Sequence, residues 1–374
     1  MPPHNIYMAE YLNSYYVYYI LIVVFSVLIT LLCIPSILHV ARTRHLYDDV
    51  GHFRKQHDHG IPRLGGVAIF ASFTVTLLLF SMVDKNLPVS YLLTSSIVLF
   101  AMGLKDDLSG VNSSTKFLIQ FFVAAILVLL GDIRFTSMYG ILGVYEISYV
   151  VSAIISILFI MLIVNAFNLI DGIDGLAGAT CIVVNGTFTA LFIYMKHYEL
   201  AAISLAIIGA VIGFLRFNLT PAKIFMGDTG SLLIGLISAI MAVKFIEENK
   251  FVAGHTSPAV FSAPALGFAI LIGPIFDTLR VFVLRIINGV SPFTADRNHI
   301  HHRVLRLGFN HMQTTLILVG INIITIIMVL MFSELGNLAL MGLILINSLV
   351  FNWGITICLR TKEREGFAIG HLFA

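Results

Sequence analysis

Apolar residues in this chain come in long, nearly unbroken runs, without the period-two alternation of a surface strand or the single stripe of a soluble helix. Eleven such runs cover residues 17–40, 64–83, 89–104, 115–130, 149–166, 176–195, 200–217, 231–246, 260–284, 314–332 and 337–359. A bilayer core is crossed by a helix of about 20 apolar residues, so each run predicts a membrane-spanning α-helix. One connecting stretch, 131–148, alternates enough to predict a small β-hairpin. The first run is too long for a cleavable signal segment, and no Lys or Arg precedes it, so it predicts a retained first helix. With no low-complexity tract, linker or repeat, the pattern predicts one membrane-embedded domain over 1–374: an all-α, polytopic helix bundle of about eleven spans.

An odd number of spans puts the two termini on opposite sides. If the N-terminus is outside, the loops 41–63, 105–114, 167–175, 218–230 and 285–313 and the C-terminal tail share one face. Together with the adjoining helix ends they hold 17 of the 22 Lys and Arg residues. Cytoplasmic loops carry the excess of Lys and Arg, so this face is predicted to be cytosolic, with the C-terminus on the same side. Composition agrees with the spans: 58% of the 374 residues are hydrophobic and 11% charged, against about 25% charged in soluble domains. That excludes disordered, collagen-like and disulfide-rich secreted chains. A net charge of +2 with no basic domain offers nothing to nucleic acid. Cys33, Cys181 and Cys358 lie in three different apolar runs, with no metal-ligand spacing.

The chemistry gathers on the predicted cytosolic face. Asp106 and Asp107 are adjacent in GLKDDLSG, Asp171 and Asp174 lie in NAFNLIDGIDGLAG, and Asp228 lies in FMGDTGS. A carboxylate beside hydrocarbon is costly and marks an ion, proton or substrate path. Helix capping explains one such residue well, but three clusters at one membrane face less well. The glycines of DGIDGLAG and GDTGS predict helix N-termini whose N–H groups suit phosphate. Carboxylates would repel that phosphate unless a divalent cation sits between them. Mg²⁺ takes carboxylate and phosphate oxygens, with Mn²⁺ as a substitute. Together these features predict Mg²⁺-assisted chemistry on a pyrophosphate, and no P-loop points to ATP.

The last polar loop, DRNHIHHRVLRLG, adds Arg297, His299, His301, His302, Arg303 and Arg306. Its spacing suits an anion clamp better than a zinc site. The first loop adds Arg54, Lys55, His57, His59 and Arg63 before Gly65 and Gly66. A solvated, positive-inside loop accounts for some of these charges. Asp277, inside the ninth run, is the main charge away from the span ends, with Arg280 one turn later as its candidate partner. A secondary transporter would also need many spans and intramembrane charge, but it places that charge near the midplane; here the apolar centres are nearly free of it.

These five segments, in this order, resemble the polyprenyl-phosphate N-acetylhexosamine-1-phosphate transferases. The nearest branch is the bacterial WecA type, which transfers GlcNAc-1-phosphate to undecaprenyl phosphate; the phospho-MurNAc-pentapeptide transferases are more distant. The resemblance runs from about Arg54 to Gly308. It implies that a UDP-N-acetylhexosamine and a membrane-embedded polyprenyl phosphate meet at the inner-membrane surface of a bacterium, releasing UMP and starting a cell-envelope polysaccharide. It also implies Mg²⁺, and homodimers are common among such enzymes. Residue by residue, Asp106 helps orient or deprotonate the lipid phosphate, Asp107 lies near the metal, and Asp228 ligates it. Phe225 stacks on uracil, and Asn218 belongs to the nucleoside pocket. Asn168, Asp171 and Asp174 line the uridine side, Lys116 lies near the phosphates, and Arg297, His299, His301 and His302 hold the sugar and pyrophosphate. The HIHH run followed by Arg303 departs from the three histidines and acidic residue of the peptidoglycan relatives, so GlcNAc is expected before MurNAc-pentapeptide. Which of Lys55, His57 and Arg63 fills the basic place in the first loop stays open, and a different UDP-N-acetylhexosamine is the remaining alternative. A phosphate ester is a competent nucleophile, and no base-activated Ser or Cys stands nearby, which favours direct attack over a covalent intermediate.

Overall fold

A computed structural model describes residues 4–46, 60–81, 89–252, 260–289 and 298–365. Every apolar run is helical, the ninth as two helices. In chain order these are α1 His4–Thr43, α2 Gly65–Ser81, α3 Val89–Ser109, α4 Ser113–Ala125, α5 Tyr149–Ile170, α6 Leu176–Tyr194, α7 Tyr198–Asn218 and α8 Gly227–Val252. They continue with α9 Ala263–Ile270, α10 Ile272–Ile287, α11 Ile300–Arg306, α12 His311–Met331 and α13 Asn337–Glu365. A wider π turn, Ile126–Leu130, prolongs α4. Among the described residues nine helices are long and apolar enough to cross a membrane, and α2 is a shorter apolar helix. This is a multi-pass, all-α membrane protein. The predicted hairpin forms between α4 and α5: β1 Ser137–Ile141 pairs antiparallel with β2 Val144–Glu146.

The ninth predicted run differs from expectation: it is two helices, broken at Leu271. A break inside an apolar environment strands a carbonyl and an N–H that hydrocarbon cannot satisfy. Asn322 of α12 supplies both partners, donating to the Ile270 carbonyl at 3.1 Å and accepting the Gly273 N–H at 3.0 Å. Beyond the break, α10 exposes Leu279, Phe282, Val283, Leu284, Ile286 and Ile287, as a lipid-facing surface would.

Helix α8 is the axis of the bundle. It packs against α2, α3, α5 and α6, and Leu232, Leu233, Ile234, Leu236 and Ile237 are almost wholly buried. Small residues let its first turn approach its neighbours closely. A Cβ on Gly66 of α2 would lie 2.1 Å from the Gly230 backbone nitrogen, and one on Gly103 of α3 would lie 2.7 Å from the Thr229 backbone. Polar pairs fix helix register inside the bundle: Ser26 with Ser72 at 2.9 Å, Asn185 with Ser238 at 3.0 Å, and the reciprocal amides Gln120 and Asn165. Cys33, Cys181 and Cys358 are free thiols.

Candidate active site

The N-terminal turn of α8 brings the predicted acidic segments together. Gly227 opens the helix at φ +71°, a conformation natural to glycine; a Cβ there would also lie 2.6 Å from the Asp107 carboxylate. Asp107, reaching over from α3, accepts the Asp228 N–H at 2.8 Å, the Thr229 N–H at 2.9 Å and the Thr229 hydroxyl at 2.5 Å. Those are donors a helix N-terminus leaves unsatisfied. Capping and clustering, set against each other in the sequence, therefore coincide at Asp107, which caps a helix 121 residues away.

Asp106 points across this turn. Its Oδ1 accepts the Val111 N–H at 2.7 Å, and Lys116 of α4 bridges its Oδ2 at 2.6 Å and Asp228 Oδ2 at 2.8 Å. One ammonium thus serves two carboxylates in half-buried surroundings. Asp106, Asp107 and Asp228 each offer an oxygen, and the three atoms lie within 4.8 Å of one another. An all-oxygen, all-carboxylate set with a lysine already placed as a counter-cation fits a hard divalent ion such as Mg²⁺ and would suit zinc poorly.

A polar cleft of about 340 Å³ opens beside this cluster, lined by Arg63, Asn168, Asp171, Asp174, Asn218, Phe225, Asp228 and His311 among others. Its walls are tied by short-range chemistry. The stretch leading into α2 is tied to 225–226: Phe225 N–H donates to the Pro62 carbonyl at 2.9 Å, and Gly65 and Gly66 donate to the Phe225 and Met226 carbonyls at 2.9 and 2.8 Å. Asn218 accepts the Gly175 N–H and donates to the Ile224 carbonyl, both at 2.9 Å. Its amide is committed to holding two loops together, so it shapes the cleft as a strut. Asn168 donates to Ser231 Oγ at 2.9 Å. Asp174 accepts the Ala222 N–H at 3.3 Å and lies 3.3 Å from His311 Nδ1. Enclosure by protein, then the charges of Asp228 and Asp107, push the Asp171 carboxyl well above the usual range, and Arg63 and the Gly227 N–H oppose that shift.

The histidine segment comes close without lining the cleft. His301 is 2% exposed, and a Cβ on Gly172 would lie 2.4 Å from its Nε2, so it presses on the loop that carries Asp171 and Asp174. Burial, then the neighbouring His302, drive its pKa down to about 3 and keep it neutral. His302 is half-buried, its ring 4.2 Å from that of His301. His299 is buried and faces Asp277, as described below. Arg280 pairs with Asp277 at 3.1 Å, the contact its one-turn spacing predicts.

The anion-clamp expectation is corrected for Arg303: its guanidinium turns away to Asn352 and to Thr356 Oγ1 at 2.6 Å on α13. Buried, it docks α11 where a phosphate clamp would need an open side chain. Arg297, with Arg54, Lys55, His57 and His59 of the first loop, lies outside the described residues. Sequence reasoning left Arg63 as one of three basic candidates and passed over His311. Arg63 lines the cleft, and of the three it alone is among the described residues. His311 carried no signal beyond its place just after Asn310, which forms a capping box with Gln313 at the start of α12.

Residues 89–246 match the family described as glycosyl transferase family 4. A Bacillus subtilis protein described as a probable undecaprenyl-phosphate N-acetylglucosaminyl 1-phosphate transferase is 30% identical, over 78% of this chain and 79% of its own. The chain belongs to glycosyl transferase family 4. An undecaprenyl-phosphate alpha-N-acetylglucosaminyl 1-phosphate transferase of Escherichia coli K12 is 31% identical over 71% of each chain. A decaprenyl-phosphate N-acetylglucosaminephosphotransferase of Mycolicibacterium smegmatis is 30% identical over 71% of this chain and 70% of its own. The family match covers Asp106, Asp107, Lys116, Asn168, Asp171, Asp174, Asn218, Phe225 and Asp228, the residues that form the acidic cluster or line the cleft beside it.

Proposed function

We propose that this family 4 member transfers GlcNAc-1-phosphate from UDP-GlcNAc to a polyprenyl phosphate, releasing UMP and leaving a polyprenyl-pyrophosphoryl sugar in the membrane. The observation that carries the reading is a carboxylate cluster, bridged by one lysine, at the mouth of a polar cleft in a bundle that is otherwise apolar. A greasy acceptor and a soluble nucleotide donor need such a boundary. The names of the relatives in three bacteria support the acceptor and the sugar. The 17-to-5 division of basic residues over eleven spans supports a site facing the cytosol, and the bacterial relatives support residence in a bacterial inner membrane.

Two phosphates must approach, and their repulsion in a half-buried site is several kcal/mol unless it is neutralised. When bound by Asp228, Asp106 and Asp107, Mg²⁺ would offset that repulsion and the charge that grows on the leaving UMP. Lys116, between Asp106 and Asp228, is placed to donate to phosphate oxygens as they displace its carboxylate partners. Arg63 brings a second cation to the cleft, and Phe225 offers a face on which uracil can stack. A phosphate oxygen of the lipid attacks the β-phosphorus; the bond from that phosphorus to the bridging oxygen breaks, and the electron pair leaves with UMP. Catalysis here is chiefly positioning and charge neutralisation.

The test is UMP release in detergent from UDP-GlcNAc, polyprenyl phosphate and Mg²⁺, repeated with a panel of UDP-sugars and with chelator. UMP formed only when lipid acceptor and metal are both present is the expected result. No UMP, with solute flux in liposomes, would overturn it in favour of transport.

A further inference from the structure

Asp277 takes no part in the acidic cluster, yet it is 4% exposed in an apolar helix and fully engaged. Its Oδ1 accepts the Ile300 N–H at 2.9 Å and an Arg280 N–H at 3.1 Å; its Oδ2 lies 3.0 Å from His299 Nδ1. The same Arg280 nitrogen donates to the Asn298 carbonyl. One carboxylate on α10 therefore holds the start of α11 and one face of the His299 ring. His299 lies nearly parallel to His301, ring centroids 5.7 Å apart and planes at 11°. His301 in turn packs on Gly172, between the two cleft aspartates. The contacts run without a gap from the broken helix to the cleft.

We propose that Asp277 is a positioning residue for the transfer, holding a proton on His299 Nδ1 and, through the His299–His301–Gly172 contacts, setting the loop that carries Asp171 and Asp174. The geometry argues this directly. A carboxylate can only accept, so the ring nitrogen 3.0 Å away must carry the hydrogen. A carboxylate that orients a functional histidine is a recurrent device, and Arg280 balances the buried charge. Among the described residues, the other titratable or charged groups near the pair are His301, stacked on His299, Arg280, and Arg303, whose charge acts on Asp277.

The inference rests on the transferase reading above, and the experiment separates the two. Asp277→Asn keeps an oxygen for the Ile300 N–H and Arg280 but turns an N–H₂ toward His299, which moves the ring proton to Nε2. UMP release, thermal midpoint and ¹⁵N-histidine spectra are measured for wild type, Asp277→Asn, His299→Gln and the double variant; the resonance missing in His299→Gln identifies His299. The expected results are a near wild-type midpoint for Asp277→Asn, a fall in kcat of about tenfold or more, and little change in KM for the UDP-sugar. The double variant is expected to match His299→Gln within about twofold, because residues acting as a unit are non-additive. The spectra should place the proton on Nδ1 in wild type. Wild-type kcat in Asp277→Asn, multiplicative losses in the double variant, or a wild-type proton on Nε2 alone would each overturn the proposal. The spectral result decides even if Asp277→Asn does not fold. Absence of UMP release by the wild type would instead overturn the transferase reading and leave the proton position to be read from the spectra.

Discussion

The two ends of α8 both carry carboxylates, and they use them differently. At the C-terminal end Glu247 is 8% exposed and saturated: one oxygen accepts the Thr136 N–H at 2.8 Å and the other the Thr136 hydroxyl at 2.7 Å, pinning the hairpin. Lys250 reaches the same Thr136 hydroxyl at 3.0 Å, and the Tyr139 hydroxyl donates to the Ile246 carbonyl. At the N-terminal end, about 28 Å away at 1.5 Å per residue, Asp106 and Asp228 share one ammonium while the Asp107 and Asp171 carboxyls crowd in beside them. A buried carboxylate whose partners come from the fold is a fastener. A surplus of carboxylates over protein cations, opening on a polar cleft, is a site that awaits a ligand's charge. Burial alone does not separate the two cases; the balance of partners does.

That contrast breaks most sharply at Asp228. Asp228→Asn should lower UMP release by on the order of 10³-fold, the scale of removing one preorganised electrostatic partner, and should weaken Mg²⁺ dependence. Near-normal turnover would remove Asp228 from the metal. Asp107→Ala should damage both functions of its residue. The thermal midpoint should fall with the loss of a helix cap, about 1–2 kcal/mol, and activity should fall as well because the α8 turn carrying Asp228 loosens. An effect on one readout only would separate the roles joined here.

Phe225→Ala should raise KM for the UDP-sugar by a loss of about 1–3 kcal/mol of base stacking, with the thermal midpoint little changed; equal KM values would refute the stack. Glu247→Gln is the mirror case. It should cost about 1–3 kcal/mol of stability, since a hydrogen bond to Thr136 is lost and a buried group left unpaired, and leave KM and kcat alone. A catalytic defect there would end the distinction between the two ends. The smallest effect is expected at Asp171. Its raised pKa means that its carboxyl loses its proton inside a negative cluster as pH rises through the elevated range, so stability declines across that range. Asp171→Asn should flatten that slope in thermal scans from acid to neutral pH; an unchanged slope would show that Asp171 does not carry it.

Much of the site was legible because its residues sit in short segments with unusual pairings of acid and glycine. Asp106, Asp107, Asp171, Asp174 and Asp228 stand out against apolar neighbours, and all five come together around the start of α8. The hairpin was legible from alternation. Less legible was the division of labour. Nothing in GLKDDLSG says that Asp106 meets Lys116 while Asp107 caps α8, because adjacent residues on a helix point about 100° apart and their partners lie in other helices. Nothing in the basic run 303–306 says that Arg303 turns to α13. The break at Leu271 was hidden too, since Asn322, which satisfies its backbone, lies 52 residues from Ile270.

The spans, the sidedness of charge and the acidic segments follow from the sequence alone, because the free energy of placing a stretch in hydrocarbon is a local sum over about 20 residues. Which carboxylate caps, which is shared and which orients a histidine was decided by tertiary structure. A buried charge takes its role from whichever donors surround it, and at Asp107, Asp228 and Asp277 those donors come from helices that meet only when the bundle closes.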